Sequence, residues 1–407
     1  MKKMPEMSVS SYFWFIIILF GWIALLPPPL QGQFDLFIKT FLFIFLFIVM
    51  PTGKQAKALF SLQDWPVWLF LICMCSGIIS ARDRNVALMT FIYLFTNMFF
   101  LFYIGKAIFC SDGYQKFIFM IITVLSGLVA LLGIVEVFLG HIYKISGLLF
   151  PKATQLHQTP LATYLLLTLP FAFYFLRQKN RRVKIFAASV IILEILCLLL
   201  TFSHRAIIGL IAMLIFYLCA QREYKKIFVI FLTVIVLMSM ANFLPFPAHL
   251  LNLKSFGGAM AEIFSEFRMT RVGMSLAMFK NNPIFGVGFE NFRVLFDRYY
   301  PVKNQILHIP FDKKIVDNMY FTLLAEAGIV GFAGFFILIS FIFKRGLSRL
   351  KELKVGNEKT TMLILMSALI ALLIDMNGYE LLYWNNPYMF FCLICGFIFA
   401  SIGKNKN

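Results

Sequence analysis

Long apolar runs recur from one end of this chain to the other, and that succession constrains its fold more than any other feature. About twenty apolar residues wound as a helix span the roughly 30 Å hydrocarbon layer of a bilayer. Runs of about that length, or nearly so, lie at about 12–30, 36–51, 65–80, 87–108, 117–139, 160–176, 185–201, 206–220, 226–244, 318–343, 361–376 and 386–403. They predict an all-α polytopic membrane protein with about twelve transmembrane helices. The narrow gap near 201–206 also fits a broken or re-entrant element. A β-barrel would instead show alternating segments of about ten residues. Charged residues make up only 14% of the chain, where a soluble domain carries about a quarter. Neither an internal repeat nor a low-complexity tract is evident.

The basic residues are unevenly spread among the connections. Met1-Lys2-Lys3 ahead of Tyr12 to Leu26 mimics a signal peptide, but Pro27-Pro28-Pro29 follows where a small-residue cleavage site would stand, so the run reads as an uncleaved first span. With that end inside, the even-numbered connections hold Lys54 and Lys57, Lys106 and Lys116, the Arg177–Lys184 cluster, and Arg222, Lys225 and Lys226. Lys344, Arg345, Arg349, Lys351, Lys354 and Lys359 follow, and the tail adds Lys404 and Lys406. The opposite short loops hold only Arg82, Arg84, Lys144, Lys152 and Arg205. This is the positive-inside pattern, and it puts both termini in the cytoplasm. It accounts for most of the +18 net charge, so a nucleic-acid partner is unnecessary. Cys392-Leu-Ile-Cys395 has redox or zinc spacing, but it lies in the last apolar run without partner ligands and reads as small apolar side chains.

One connection is long. It divides the chain into an N-terminal bundle (1–244), an outer loop domain (245–316) and C-terminal transmembrane helices (317–407). Within the loop, Met260, Ile263, Phe264, Phe267, Val272, Leu276 and Phe279 roughly follow helical spacing, which predicts amphipathic helices on the membrane surface. Asn281-Asn282-Pro283 ends the second, and Gly286-x-Gly288 turns the chain; without a preceding strand it is no dinucleotide loop. Long loops of this kind are more often functional than idle.

The polar residues at the membrane edge are the candidates for chemistry. Arg205, in Thr201-Phe-Ser-His204-Arg205-Ala, either snorkels as an anchor or holds a phosphate by two parallel hydrogen bonds. Arg271 has the same two readings, as a solvated residue on the polar side of the loop helix or as an anion ligand, and Arg268 is weaker. Asp317 and Asn318 either cap the helix that follows or serve the reaction. Glu326 either orients a base or bonds within the bundle. Asp375, Asn377 and Glu380 lie at the outer end of the penultimate span, and Gln155, His157 and Gln158 face outwards before Pro160. Glu136 and Glu194 are isolated carboxylates in apolar runs, expected to pair with polar neighbours.

Three blocks, in order, resemble the O-antigen ligase/O-antigen polymerase superfamily of bacterial membrane glycosyltransferases. They are Thr201–Gly209 around Ser203-His204-Arg205; Arg271 followed by Pro283-x-x-Gly286-x-Gly288-x-x-x-Phe292; and Asp317-Asn318-x9-Gly328-x-x-Gly331. The resemblance implies a metal-independent enzyme of the GT-C type, without a cofactor, in the inner membrane and acting at its periplasmic or outer face. Its partners would be an undecaprenyl-diphosphate-linked glycan donor, a glycan or lipid A-core acceptor and membrane lipid. Arg205 and Arg271, with His204 beside them, would hold the diphosphate; Asp375, Asn377 and Glu380 would line the acceptor side, and Gln155, His157 and Gln158 would touch sugar. The ligases' histidine position is occupied here by Asp317, which favours a polymerase-like enzyme over a strict lipid A-core ligase. A carboxylate can act as the base, and His308, Tyr320 or His204 could take the proton instead. The rival class is a lipid-linked glycan flippase or other transporter, which would show Gly/Pro-interrupted spans in two matching halves; none are seen.

Overall fold

The computed structural model describes residues 18–19, 40–41, 61–110, 114–142, 158–201, 203–222, 266–300, 314–354 and 356–403. The expected spans at 12–30, 36–51 and 226–244 lie largely or wholly outside these residues, as do 245–265 and 301–313 of the long loop, Gln155, His157 and His308. Every regular element described is helical. A 3-10 turn (Leu62–Asp64) leads into α1 (Trp65–Ile79), followed by α2 (Arg84–Cys110), α3 (Tyr114–Ile142), α4 (Gln158–Leu176), α5 (Arg181–Leu200) and α6 (His204–Ala220). The long loop contributes α7 (Glu266–Asn281) and α8 (Asn291–Tyr299). The chain then returns through α9 (Met319–Glu352), α10 (Asn357–Asp375) and α11 (Asn385–Gly403), with 3-10 turns at Met376–Gly378 and Leu381–Tyr383 between the last two.

Eight of the described helices, α1–α5 and α9–α11, are long and apolar enough to cross a membrane, while α6 is apolar but shorter. The all-α polytopic architecture is therefore present, and a total of twelve rests on runs outside the described residues. The spans are apolar all round, so sequence alone does not say which are central. Packing does: 89%, 78% and 83% of the residues in an 18-residue apolar stretch of α4, α10 and α11 are buried inside the protein, against only 28% for α5.

Close helix crossings use small residues, which let backbones approach where no hydrophobic drive exists between helices in lipid. A Cβ added at Gly105 of α2 would lie 2.9 Å from the Leu393 carbonyl oxygen of α11, and one at Gly396 would lie 2.3 Å from that of Phe102. In the same layer Lys106 donates to both oxygens of Asp64 at 2.7 and 2.8 Å, tying α2 to the start of α1. Cys392 and Cys395 are buried free thiols, and no three metal-ligating side chains converge among the described residues.

α7 and α8 pack against α9. Met274, Met278, Phe292, Leu295 and Phe296 share a small apolar cluster with Val316 and Ala325. The apolar spacing on α7 predicts a face lying along the membrane surface, and the stripe buried inside the protein is a different one. Leu276 is exposed and Val272 and Phe279 are half-buried, whereas Arg271, Met274, Ser275 and Met278 are buried. These four follow i, i+3, i+4, i+7 spacing, with Arg271 leading the stripe because it is drawn into an ion pair with the start of α9.

Candidate functional site

The site begins at the turn that starts α9. Asn318 is the N-cap: its side-chain oxygen accepts from the Tyr320 and Phe321 N–H groups at 3.0 and 3.3 Å, and its amide donates to the Asn377 carbonyl at 2.8 Å. Asp317 therefore does not cap the helix. It sits at φ +57°, in the left-handed region that Asp tolerates better than most residues, and its carboxylate is about a quarter exposed. Arg271, buried rather than on a solvated face, reaches it with one terminal nitrogen, donating at 2.7 Å to Asp317 Oδ2 and at 2.7 Å to the Ile315 carbonyl. Glu380 holds the other side of the turn, accepting from the Val316 N–H at 2.9 Å and the Thr322 hydroxyl at 2.7 Å. Burial, reinforced by the Asp317 charge, pushes the Glu380 carboxyl up to about 7, against the lowering effects of its two hydrogen bonds and Arg293.

The two glycine blocks of the sequence are halves of one interlock. At Gly328 (φ +62°, ψ −163°) the path of α9 leaves helical geometry. That orphans the Ala325 and Glu326 carbonyls and the Ile329 and Val330 N–H groups, which an uninterrupted helix would pair with one another. The turn between α7 and α8 replaces both bonds from both sides. Val287 and Gly288 donate to the Ala325 and Glu326 carbonyls at 2.8 and 2.9 Å, while Ile329 and Val330 donate to the Pro283 and Ile284 carbonyls at 2.9 and 3.2 Å. Gly286 (φ +71°) and Gly328 face each other across this join. A Cβ on Gly286 would come within 2.4 Å of the Glu326 carbonyl carbon, and one on Gly328 within 2.6 Å of the Gly286 nitrogen. Gly288 closes the turn against α1, where a Cβ would meet Ala81 at 2.5 Å, and Gly331 sits under Ala327. Asn291 then clamps the α1–α2 corner, accepting from the Asp83 N–H at 2.7 Å and donating to the Asp83 carbonyl at 3.2 Å.

Glu326, whose carbonyl belongs to that join, is buried and its side chain points into the loop. It accepts from the Phe292 N–H at 3.1 Å and from the Tyr383 hydroxyl. Beside it, Glu290 pairs with Arg293 at 3.2 Å; burial raises its carboxyl above the usual range, and the Arg293 charge offsets part of that. Tyr383, Glu290 and Arg293 were missed by the sequence reading. Their only signal is polarity in short segments, and a tyrosine at a membrane edge reads as an interfacial anchor.

Arg205 opens α6 from the next turn of the bundle. Its Nε lies 3.3 Å from Asp375, its guanidinium 4.9 Å from the Tyr379 ring centre, and its side chain packs on Gly378. Asp375 is fully buried and also accepts from the Thr163 hydroxyl at 2.5 Å. The connector from Asp375 to Tyr383 thus touches both halves of the site. Asp375, Gly378 and Tyr379 contact Arg205, and Asn377 and Glu380 contact residues 316–318. Because Asn377 and Gly378 are adjacent, the Asn318 amide and the Arg205 side chain are at most about 10 Å apart. Asp375, Asn377 and Glu380, expected on the acceptor side, are therefore ties within the site. His204 lies beside Arg205 at the first position of α6.

The comparison with known proteins meets this same stretch. Residues 187–336 match the family model described as O-antigen ligase. The match supports the O-antigen ligase/polymerase superfamily. It runs from α5 into the first half of α9 and includes both arginines, the glycine interlock, Asp317 and Glu326. It stops short of the Asp375–Tyr383 connector. No curated protein matches the chain. The match supports an O-antigen ligase/polymerase-type enzyme embedded in a membrane, acting on lipid-linked glycan and a polysaccharide acceptor.

Proposed function

We propose that the chain transfers a glycan from undecaprenyl diphosphate to an acceptor hydroxyl at the outer face of the inner membrane, without a metal, in a polymerase-like reaction. The observation that carries this reading is the Arg271–Asp317 ion pair at the mouth of α9, with Arg205 held nearby by the same connector. Each guanidinium is already partnered by a carboxylate. An entering diphosphate, with more negative charge than one carboxylate, competes for Arg271 and frees Asp317 as it binds. The acceptor hydroxyl then gives its proton to Asp317 as its oxygen bonds to the sugar carbon. The sugar–phosphate bond breaks and its electron pair leaves on the diphosphate, whose charge the arginines stabilise. Donor binding thus exposes the base only when there is something to transfer. The left-handed backbone at Asp317 suits such a role, since strained conformations cluster at functional sites.

The test is transfer by the purified protein from an undecaprenyl-diphosphate-linked glycan to candidate acceptors. Arg205→Ala and Arg271→Ala are expected to abolish transfer while membrane insertion stays intact, and near-normal activity in both would retire the diphosphate clamp. Asp317→Asn is expected to cost far more than Asp317→His, because histidine restores a proton acceptor. Equal effects would remove Asp317 as the base. Translocation of the lipid-linked glycan without transfer would indicate a transporter.

A further inference from the structure

At the far end of α9 from Asp317 lies a second polar site that the transfer reaction does not use. Beyond the break at Gly328 the helix still runs through 329–352, about 36 Å of α-helix, so it outruns the roughly 30 Å hydrocarbon layer and carries its last turns to headgroup depth. Those turns bear Lys344, Arg345, Arg349 and Lys351, with Lys354 and Lys359 just beyond. All but Arg349 are solvent-facing or half-buried. Arg349 is turned inward, 7% exposed, into a small open cleft of about 20 Å3 lined by Gln115, Leu353, Glu358, Thr361, Met362 and Ser401.

Its charge is poorly satisfied there. The Nε is buried with no hydrogen-bond partner. The terminal nitrogens have only Glu352 and Glu358 at 3.8 Å each, beyond hydrogen-bond length, and both carboxylates are more than half exposed. Buried donors are nearly always paired, so a buried guanidinium in this state points to a ligand. The cleft also adjoins the start of α10, whose N-cap is Gly356 and whose first turn lacks a side-chain cap, leaving N–H groups and the positive end of the helix dipole available. A buried guanidinium, a helix N-terminus and the hydroxyls of Thr361 and Ser401 form a donor-rich set suited to a phosphate.

We propose that this cleft binds the phosphate of an anionic lipid headgroup, with Arg349 as its principal ligand and the surrounding lysines drawing such lipids to it. Glu358 competes with the ligand for Arg349. The proposal does not depend on the transfer reaction.

The test uses the full-length protein in neutral detergent. Lipid retention is measured by native mass spectrometry and protection by thermal shift, with phosphatidylglycerol, phosphatidylethanolamine or inorganic phosphate added. The wild type is expected to bind phosphatidylglycerol in preference to phosphatidylethanolamine. R349Q is expected to bind it roughly tenfold more weakly, the loss of one charge-assisted contact, and E358Q more tightly. Equal binding of the two lipids by the wild type, or wild-type binding by R349Q, overturns the site. Full protection by inorganic phosphate alone that R349Q abolishes overturns the lipid and leaves a soluble phosphate ligand. Should R349Q fail to fold, E358Q decides, because that side chain is mostly exposed: unchanged binding overturns the proposal.

Discussion

Asp317 and Asn318 are neighbours of similar shape and opposite duty. Sequence left both as possible caps, and the contacts assign the cap to Asn318 and the ion pair to Asp317. Asn318→Ala is expected to cost about 1 kcal/mol of stability, the usual loss for an N-cap, and Asp317→Ala to leave the cap untouched; thermal unfolding of the two variants checks this. Glu380 adds a pH dependence. Its carboxyl is lifted from an ordinary 4.5 to about 7, so the folded protein binds that proton more tightly than the unfolded chain. The stabilisation is complete below about pH 4.5 and is lost as pH rises through 7. Glu380→Gln keeps an acceptor oxygen for Val316 and Thr322 but cannot titrate. Its melting temperature is expected to fall less than the wild type's between pH 5 and 8, and parallel curves would show that Glu380 is not the titrating group. Elsewhere the expectation of pairing was less well met. Glu194 is buried beside Ser126, with neither oxygen in hydrogen-bond geometry.

The glycine interlock shows how two weak motifs make one element. Gly286-x-Gly288 and Gly328-x-x-Gly331 were legible as spacings, but nothing local to either says that one completes the hydrogen bonds broken in the other. That join fixes the loop helices on α9, and with them Arg271 relative to Asp317. Alanine at Gly286 or Gly328 would meet opposing backbone at 2.4 Å as well as adopt a left-handed φ, a conformation that alone costs about 1–3 kcal/mol. Both variants are expected to loosen α7 and α8, read as faster hydrogen exchange in 283–300, and to lose transfer activity even where α1–α5 stay folded. Wild-type exchange in that segment would show that the interlock does not hold the loop. On α7 the apolar residues wrap around the helix, so their spacing did not show which stripe packs on α9. The buried stripe was set by one ion pair that no periodicity reveals.

Across the whole molecule, burial decides the cost of charge. Lys106 and Asp64 are 4% and 0% exposed, so removing one partner strands the other. Lys106→Met is expected to destabilise by about 3–5 kcal/mol, and Lys106→Met with Asp64→Leu to recover much of the loss. A melting temperature for the double variant no higher than for the single would place the cost elsewhere. Cysteine labelling in sealed vesicles at Lys354 and at Asp297 is expected to report opposite sides, and labelling from the same side would overturn the topology read from basic residues. Composition and the length of the apolar runs were enough to set the class, since a chain with so few charges and so many spans has no other solvent than lipid. The residue types available for chemistry were likewise readable in order along the chain. Which helices lie at the centre, which acid faces which arginine, and how the 375–383 connector joins Arg205 to the start of α9 were decided only by tertiary packing. Those contacts link residues from tens to more than a hundred positions apart, through spans whose uniformly apolar faces carry no local mark of their neighbours.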